Sequence, residues 1–181
     1  MKNRGFTLIE LVVVISILAI LAAIALPRFV SLQREARIAK LNAARGAVAT
    51  ASLLIHATVL TRSVADATAC PAGGGTATNA QSGAGTVCTE NGVLNTTNGY
   101  PTSTALTAAT PGIIAGAGLT SLFSPTDTQL AAEGYDVSVG GSTTTVQITG
   151  APTPASCQFT YSDSATVGAA PVISAIVATG C

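Results

Sequence analysis

Apolar and polar positions divide this chain into three regimes. From Phe6 to Leu26 the side chains are almost continuously apolar, with one carboxylate, Glu10, near the start. As a helix, this run would be about 30 Å long, the thickness of a bilayer's hydrocarbon core. From Pro27 to about Leu60 good helix formers continue, with Gly46 the one glycine among them. Within this second regime Leu41, Ala44, Val48, Ala51 and Ile55 recur at three- and four-residue steps and form one stripe. Late in the chain the period drops to two. Tyr135–Val139 and Thr143–Ile148 alternate around a Gly140-Gly141 turn, and Gln158–Tyr161 and Val172–Val177 are two further strand candidates. Pro152, Pro154 and Pro171 fall outside these runs, where strand chemistry puts them.

The pattern predicts an α+β fold: a long amino-terminal helix, Phe6 to about Leu60 and roughly 80 Å long, packed on a late antiparallel β-sheet of three or four strands. The helix stripe from Leu41 to Ile55 would lie on one face of that sheet. Arg34, Arg37 and Lys40 point broadly the same way as the stripe, so residues 28–40 are expected to stay off the sheet. Leu53 points away from it, toward a side that other copies would cover. Pro27 removes a backbone donor and crowds the preceding turn, which predicts a kink near Ala23. Residues 62–98 shift to Ala, Thr, Gly and Asn, and the stretch PAGGGTATNAQSGAG reads as a surface loop. Pro111 to Phe123 predicts a short helix. Four segments follow: 1–5, 6–27, 28–60, and a head over 61–181 with a loop at 70–88, a helix near 111–123 and a sheet at about 135–181.

Charge changes this picture in one respect. The chain is formally neutral, but all eight Lys and Arg lie at or before Arg62, and six acids and no base follow it. The head therefore has no basic surface for nucleic acid. The stretch from Arg28 to Arg45 is read as a helix segment beside a membrane rather than a DNA site. Aromatics are 4% of residues and Trp is absent, which leaves no stacking platform. Lys2 and Arg4 place the amino terminus on the cytoplasmic side, yet the five bases from Arg28 to Arg45 argue the reverse.

The cysteines argue for an oxidising compartment and so for an exported head, against the charge count. Cys70, Cys88, Cys157 and Cys181 all lie in the head, and an even number in a translocated domain reads as two disulfides. No Cys-x-x-Cys pair is present to suggest zinc. Three pairings are possible. The sequential one, Cys70–Cys88 and Cys157–Cys181, is favoured because each loop would be about 20 residues, stabilising the fold by roughly 3 kcal/mol.

Catalytic chemistry finds no constellation, and the chain is not read as an enzyme. The single histidine, His56, lies within the helix, with no serine and acid placed to complete a triad. The glycine runs lack the lysine of a phosphate-binding loop. Asp127, Glu133 and Asp136 are spaced closely enough to raise calcium, but acids in a polar loop are ordinarily solvated. No metal site and no cofactor are assigned. Asn95-Thr96-Thr97 is a formal glycosylation acceptor, read here as ordinary sequence.

The amino-terminal run has three readings. A cleaved secretory signal would use Ala23-Ile24-Ala25, but a signal core is about 7–15 apolar residues, shorter than this run. A plain membrane anchor leaves Glu10 unexplained. The third reading starts from Gly5-Phe6-Thr7-Leu8-Ile9-Glu10 behind a short basic leader, which resembles the signature of type IV prepilins and the related pseudopilins. That resemblance implies cleavage between Gly5 and Phe6 by a prepilin peptidase and methylation of the new Phe6 amine. It also implies that Glu10 pairs with the Phe6 amine of a neighbouring copy, and that the fold is the type IV pilin fold. The implied life history is an inner-membrane precursor that becomes a surface filament, with other copies, the peptidase and the inner-membrane assembly machinery as partners. PRFVSLQREARIAKLNAARGAVATASLLIHA, GYPTST…GIIAGAGL and the closing Cys157…Cys181 pair are similar to pilins of the mannose-sensitive haemagglutinin type. The alternatives are the major pseudopilin of a type II secretion system and a minor pilin with a ligand-binding head.

Overall fold

The structure is a computed structural model that describes residues 6–62, 66–71, 75–106, 108 and 111–181. The leader, residues 1–5, lies outside them, and with it Gly5. The chain falls into two compact units, Met1–Ala36 and Arg37–Cys181. Helix α1, Leu8–Thr61, starts in the first unit and ends in the second. Pro27 lies inside it, helical on both sides. Proline removes one backbone donor, and strong helix formers on either side carry the helix through. In the first unit every described residue is exposed.

The second unit is built on α1 and two small sheets. The late sheet is an antiparallel meander of β6 (Tyr135–Gly140), β7 (Thr143–Ile148), β8 (Gln158–Ser162) and β9 (Val172–Ile173), paired in that order. Period-two alternation puts one row of side chains inward. Val137 sits opposite Val146 and Val146 opposite Phe159, while Thr144 sits opposite Tyr161 and Tyr161 opposite Ile173. The predicted strands hold, with β6 extended through Gly140 and the turn formed by residues 141 and 142. Gly141, at φ +61°, supplies the left-handed conformation that this turn requires.

The last strand is shorter than predicted, for a local reason. Arg45 Nε donates to the Ser174 carbonyl at 2.7 Å. The Thr160 amide then takes the Ser174 hydroxyl at 2.9 Å instead of a backbone oxygen. The Ser174 amide still donates to the Thr160 carbonyl at 2.9 Å, regular pairing ends there, and a bridge joins Gln158 and Val177 further on.

The expected surface loop over residues 62–98 is largely sheet. A short pair, β1 (Asp66–Ala69) and β2 (Thr76–Ala77), precedes a three-stranded antiparallel sheet. This sheet is β3 (Ala84–Thr89), β4 (Gly92–Thr97) and β5 (Tyr100–Pro101). The loop between β4 and β5 is Asn98-Gly99, both at positive φ, +52° and +79°. An Asn-Gly pair with this geometry is the preferred two-residue hairpin loop. Low apolar content hid the strands, but Val87 and Leu94 are enough to bury one face, and both are fully enclosed. Two short helices follow: α2 (Ile113–Ala117), ended by Gly118 at φ +62°, and α3 (Asp127–Ala132). The second was not predicted. Thr126 and Gln129 form a capping box at its start, which explains why so short and polar a segment is helical.

The core joins these parts. Leu41, Ala44, Val48, Ala51, Ile55 and Val59 of α1 are buried among Leu94, Ile113, Leu130, Val146, Phe159 and Tyr161. Leu53 is 65% exposed, as its angular position predicts, and Leu54 beside it is 64% exposed.

The expectation that residues 28–40 stay off the head fails from Arg37 on, where Ile38 packs against the core. Arg37 Nη1 donates to the Cys181 carbonyl at 2.9 Å. Lys40 Nζ donates to the Glu133 carbonyl and lies 4.5 Å from the centre of the Tyr135 ring. With Arg45 on Ser174, three helix bases donate to backbone oxygens, and Arg62, just past the helix, donates to the Cys88 carbonyl at 3.3 Å. Long side chains lay their stems on apolar surface while the charged head finds acceptors further out, so a base on the packed side does not exclude packing.

Tyr161 ties the two sheets and the helix together. Its hydroxyl donates to the Pro101 carbonyl of β5 at 2.5 Å, and the buried Ser52 side chain of α1 acts on it. Burial holds its pKa well above the ordinary tyrosine range, with the Ser52 bond opposing. Tyr161→Phe keeps the ring but takes the donor away from the buried Pro101 carbonyl. We expect it to cost about 1–3 kcal/mol, read as a lower urea midpoint with an unchanged slope. A midpoint equal to wild type would remove Tyr161 from this role.

Candidate functional site

The amino-terminal end of α1 carries the residues singled out from sequence. Thr7 precedes the helix and Glu10 sits in its first turn. The Glu10 amide donates to Thr7 Oγ1 at 3.3 Å, and the Thr7 hydroxyl makes a long bond to Glu10 Oε2 at 3.5 Å. The first amides of a helix have no intrahelical acceptor, and Thr7 satisfies one of them. The arrangement is close to a capping box, with the carboxylate drawn toward the helix's positive end. Thr7 was not singled out from sequence, although Thr-x-x-Glu at a helix start is the signature of this cap. Phe6 is 86% exposed. The site is therefore a carboxylate held at one end of an apolar rod, beside the residue that cleavage after Gly5 would leave as the new amino terminus.

The apolar surface behind it has no cover. Leu8, Ile9, Leu11 to Ile15, Ile17, Leu18, Ile20, Leu21, Ile24 and Leu26 are all exposed. The helix is long and apolar enough to cross a membrane. Contiguous apolar surface on this scale marks a membrane or protein contact.

The four cysteines pair as Cys70–Cys88 and Cys157–Cys181, with Cα atoms 5.4 and 4.8 Å apart. All four are buried. Cys70–Cys88 joins the end of β1 to β3 and, with Ala77 and Val93, makes a small satellite core. Cys157–Cys181 joins the residue before β8 to the segment that accepts from Arg37.

The acids raised for calcium are not gathered. Asp127 and Asp136 line one open groove with Thr128, Thr149 and Gly150, but Glu133 does not. Among the described residues no group of three His, Cys, Asp or Glu is placed to hold a metal. His56 stacks on Tyr100 with ring centres 3.8 Å apart, and its Nδ1 lies 3.1 Å from the Gly99 carbonyl. That is a packing role at the β4–β5 turn. Asp163, half-buried, accepts from the Ser103 amide at 2.6 Å. Burial raises its pKa and the bonds from Ser103 oppose that rise.

Comparison with known proteins now adds to this geometry. Residues 1–26 match the prokaryotic N-terminal methylation motif. The chain is 53% identical over 51 residues to the type IV narrow pilus major component PilA5 of Thermus thermophilus, a match covering 28% of this chain and 44% of that one. It is 56% identical over 36 residues to the type IV major pilin protein PilA of Myxococcus xanthus, covering 20% of this chain and 16% of that one. The matched stretch thus spans less than half the length of either relative. No solved structure matches. The amino-terminal part of the chain thus carries the methylation motif and is similar to these two type IV pilins.

Proposed function

We propose that the protein is a major pilin, a structural subunit that polymerises into a type IV pilus on the bacterial surface. The observation that carries this reading is the bare apolar run, Phe6 to Leu26, in a chain whose head has its own core and two disulfides. At about 25 cal/mol per Å² of apolar surface, such a helix is strongly driven out of water. A bilayer satisfies it in the precursor and the helices of other copies satisfy it in a filament. Prepilin peptidase cuts between Gly5 and Phe6, and methylation follows on Phe6. Glu10 then pairs with the Phe6 ammonium of a neighbour and sets the register. The exposed Leu53 and Leu54 extend the apolar contact surface onto the head. The driving force comes from the inner-membrane assembly machinery, and the subunit's role is structural, for attachment or motility.

Mass spectrometry of material sheared from cells, without reduction, tests the reading. We expect an abundant chain that starts at N-methylated Phe6 and carries four oxidised cysteines, recovered in fibres. A chain that retains Met1 and is found only in membranes would overturn it.

A further inference from the structure

The charge pattern of residues 28–35 complements an open groove on the second unit. Arg28 and Glu35 stand two helical turns apart, so they share one side of α1, about 10 Å from each other along it, with Leu32 between them. All three are exposed, Leu32 at 60%. Among the described residues the side chains of Arg28 and Glu35 meet no partner. The groove has a volume of about 450 Å³. Leu54, Thr58 and Arg62, at successive turns, line one wall, and Cys88 and Glu90 line the other. Leu54 is 64% exposed. The groove has a polarity. Arg62 donates to the Cys88 carbonyl, which fixes the base at one end. Asn91, next to Glu90, lines a narrower cleft with Ala51 and Leu54, which places the acid toward the other end.

We propose that this groove takes residues 28–35 of a second copy. Leu32 packs on Leu54, Arg28 pairs with Glu90, and Glu35 pairs with Arg62. The argument rests on the filament reading above and names a contact for it. The spans agree, since Leu54 to Arg62 covers about 12 Å of helix. The order of the charges agrees as well. Base to acid at the Leu54 end and acid to base at the Arg62 end require the two helices to run the same way, as copies do in a polar filament. Rim charges of this kind set register and partner choice more than affinity. Two different surfaces of one chain meet here, so each copy keeps a free groove and a free segment for the next. Such a contact builds an open polymer rather than a closed pair.

Charge reversal tests it in cells. Arg28→Glu alone, or Glu90→Arg alone, sets like charges together, and sheared pilin per cell should fall about tenfold or more. The two reversals combined restore the pair and should restore filaments. Glu35→Arg with Arg62→Glu should behave in the same way, whereas Arg28→Glu with Arg62→Glu should not recover. Arg62 also serves its own head, so the exchange between positions 28 and 90 decides. Wild-type yields from both of its single variants, or a loss that the combined exchange does not restore, overturns the contact. The filaments of the unaltered chain then still support the filament reading. An unaltered chain that forms no fibres overturns both.

Discussion

Glu10→Ala should leave the precursor inserted and cleaved but remove filaments from the cell surface. Insertion depends on the apolar run, which the substitution makes more apolar, and the proposed cleavage between Gly5 and Phe6 leaves Glu10 untouched. Assembly is different. In a filament core, Glu10 and a neighbour's Phe6 ammonium would both be removed from water. Deleting one partner of such a pair leaves the other charge buried and alone, at a cost of about 3–5 kcal/mol. That is more than a hundredfold in each association step. The cap made with Thr7 offers a second explanation for any loss, because Glu10 also closes the first turn. Glu10→Gln separates the two. Glutamine serves in a capping box as well as glutamate does but carries no charge. If pairing governs assembly, the Gln and Ala variants fail alike, judged by sheared pilin per cell and by electron microscopy of filaments. Normal filaments from Glu10→Gln would leave Glu10 as a helix cap only.

The second large effect is on the head. Cys157→Ser with Cys181→Ser should destabilise it by about 3.5 kcal/mol, since the bridge closes a separation of 24 residues. The loss reaches the helix too. Cys181 presents the carbonyl that Arg37 donates to, and Gly180 packs against Thr153 so closely that a side chain there would strike its carbonyl. Freed from Cys157, this segment should detach and take the Arg37 contact with it. Hydrogen exchange should then rise in two places: residues 174–181, and α1 around Arg37. Breaking Cys70–Cys88 instead should raise exchange locally, in the satellite core of Ala77 and Val93. Identical exchange maps from the two variants would mean that the bridges do not act on separate parts of the head.

How far the sequence reads the fold varies from element to element. The late meander was legible because Val137, Val146, Ile148, Phe159 and Tyr161 alternate with polar residues and one face is buried. The early sheet was missed because half of its strand residues are threonine, glycine or asparagine. Its signal was a turn signal, Asn98-Gly99, rather than an apolar one. Helix α3 was missed because six residues make no periodic pattern, and its start is announced only by the Thr126–Gln129 spacing. The stripe from Leu41 to Ile55 was legible, since helical periodicity needs only local sequence. The bases on that side were misread because a basic residue was taken as a mark of solvent. Arg37, Lys40 and Arg45 find carbonyls that no local pattern reveals.

The candidate site divides the same way. Its residue types are local: a basic leader, the Gly5-Phe6 junction, a carboxylate at Glu10 and a following apolar run long enough for a bilayer. Hydrophobic length and the expense of a charge in apolar surroundings are properties of the chain itself, so membrane association and the special status of Glu10 could be read directly. Tertiary structure decided where the backbone acceptors lie, and this depends on which distant segments meet. It put the Cys181, Glu133 and Ser174 carbonyls in reach of Arg37, Lys40 and Arg45, and it ended β9 early by taking the Ser174 oxygen. It also brought the Tyr161 hydroxyl onto the Pro101 carbonyl, joining the two sheets.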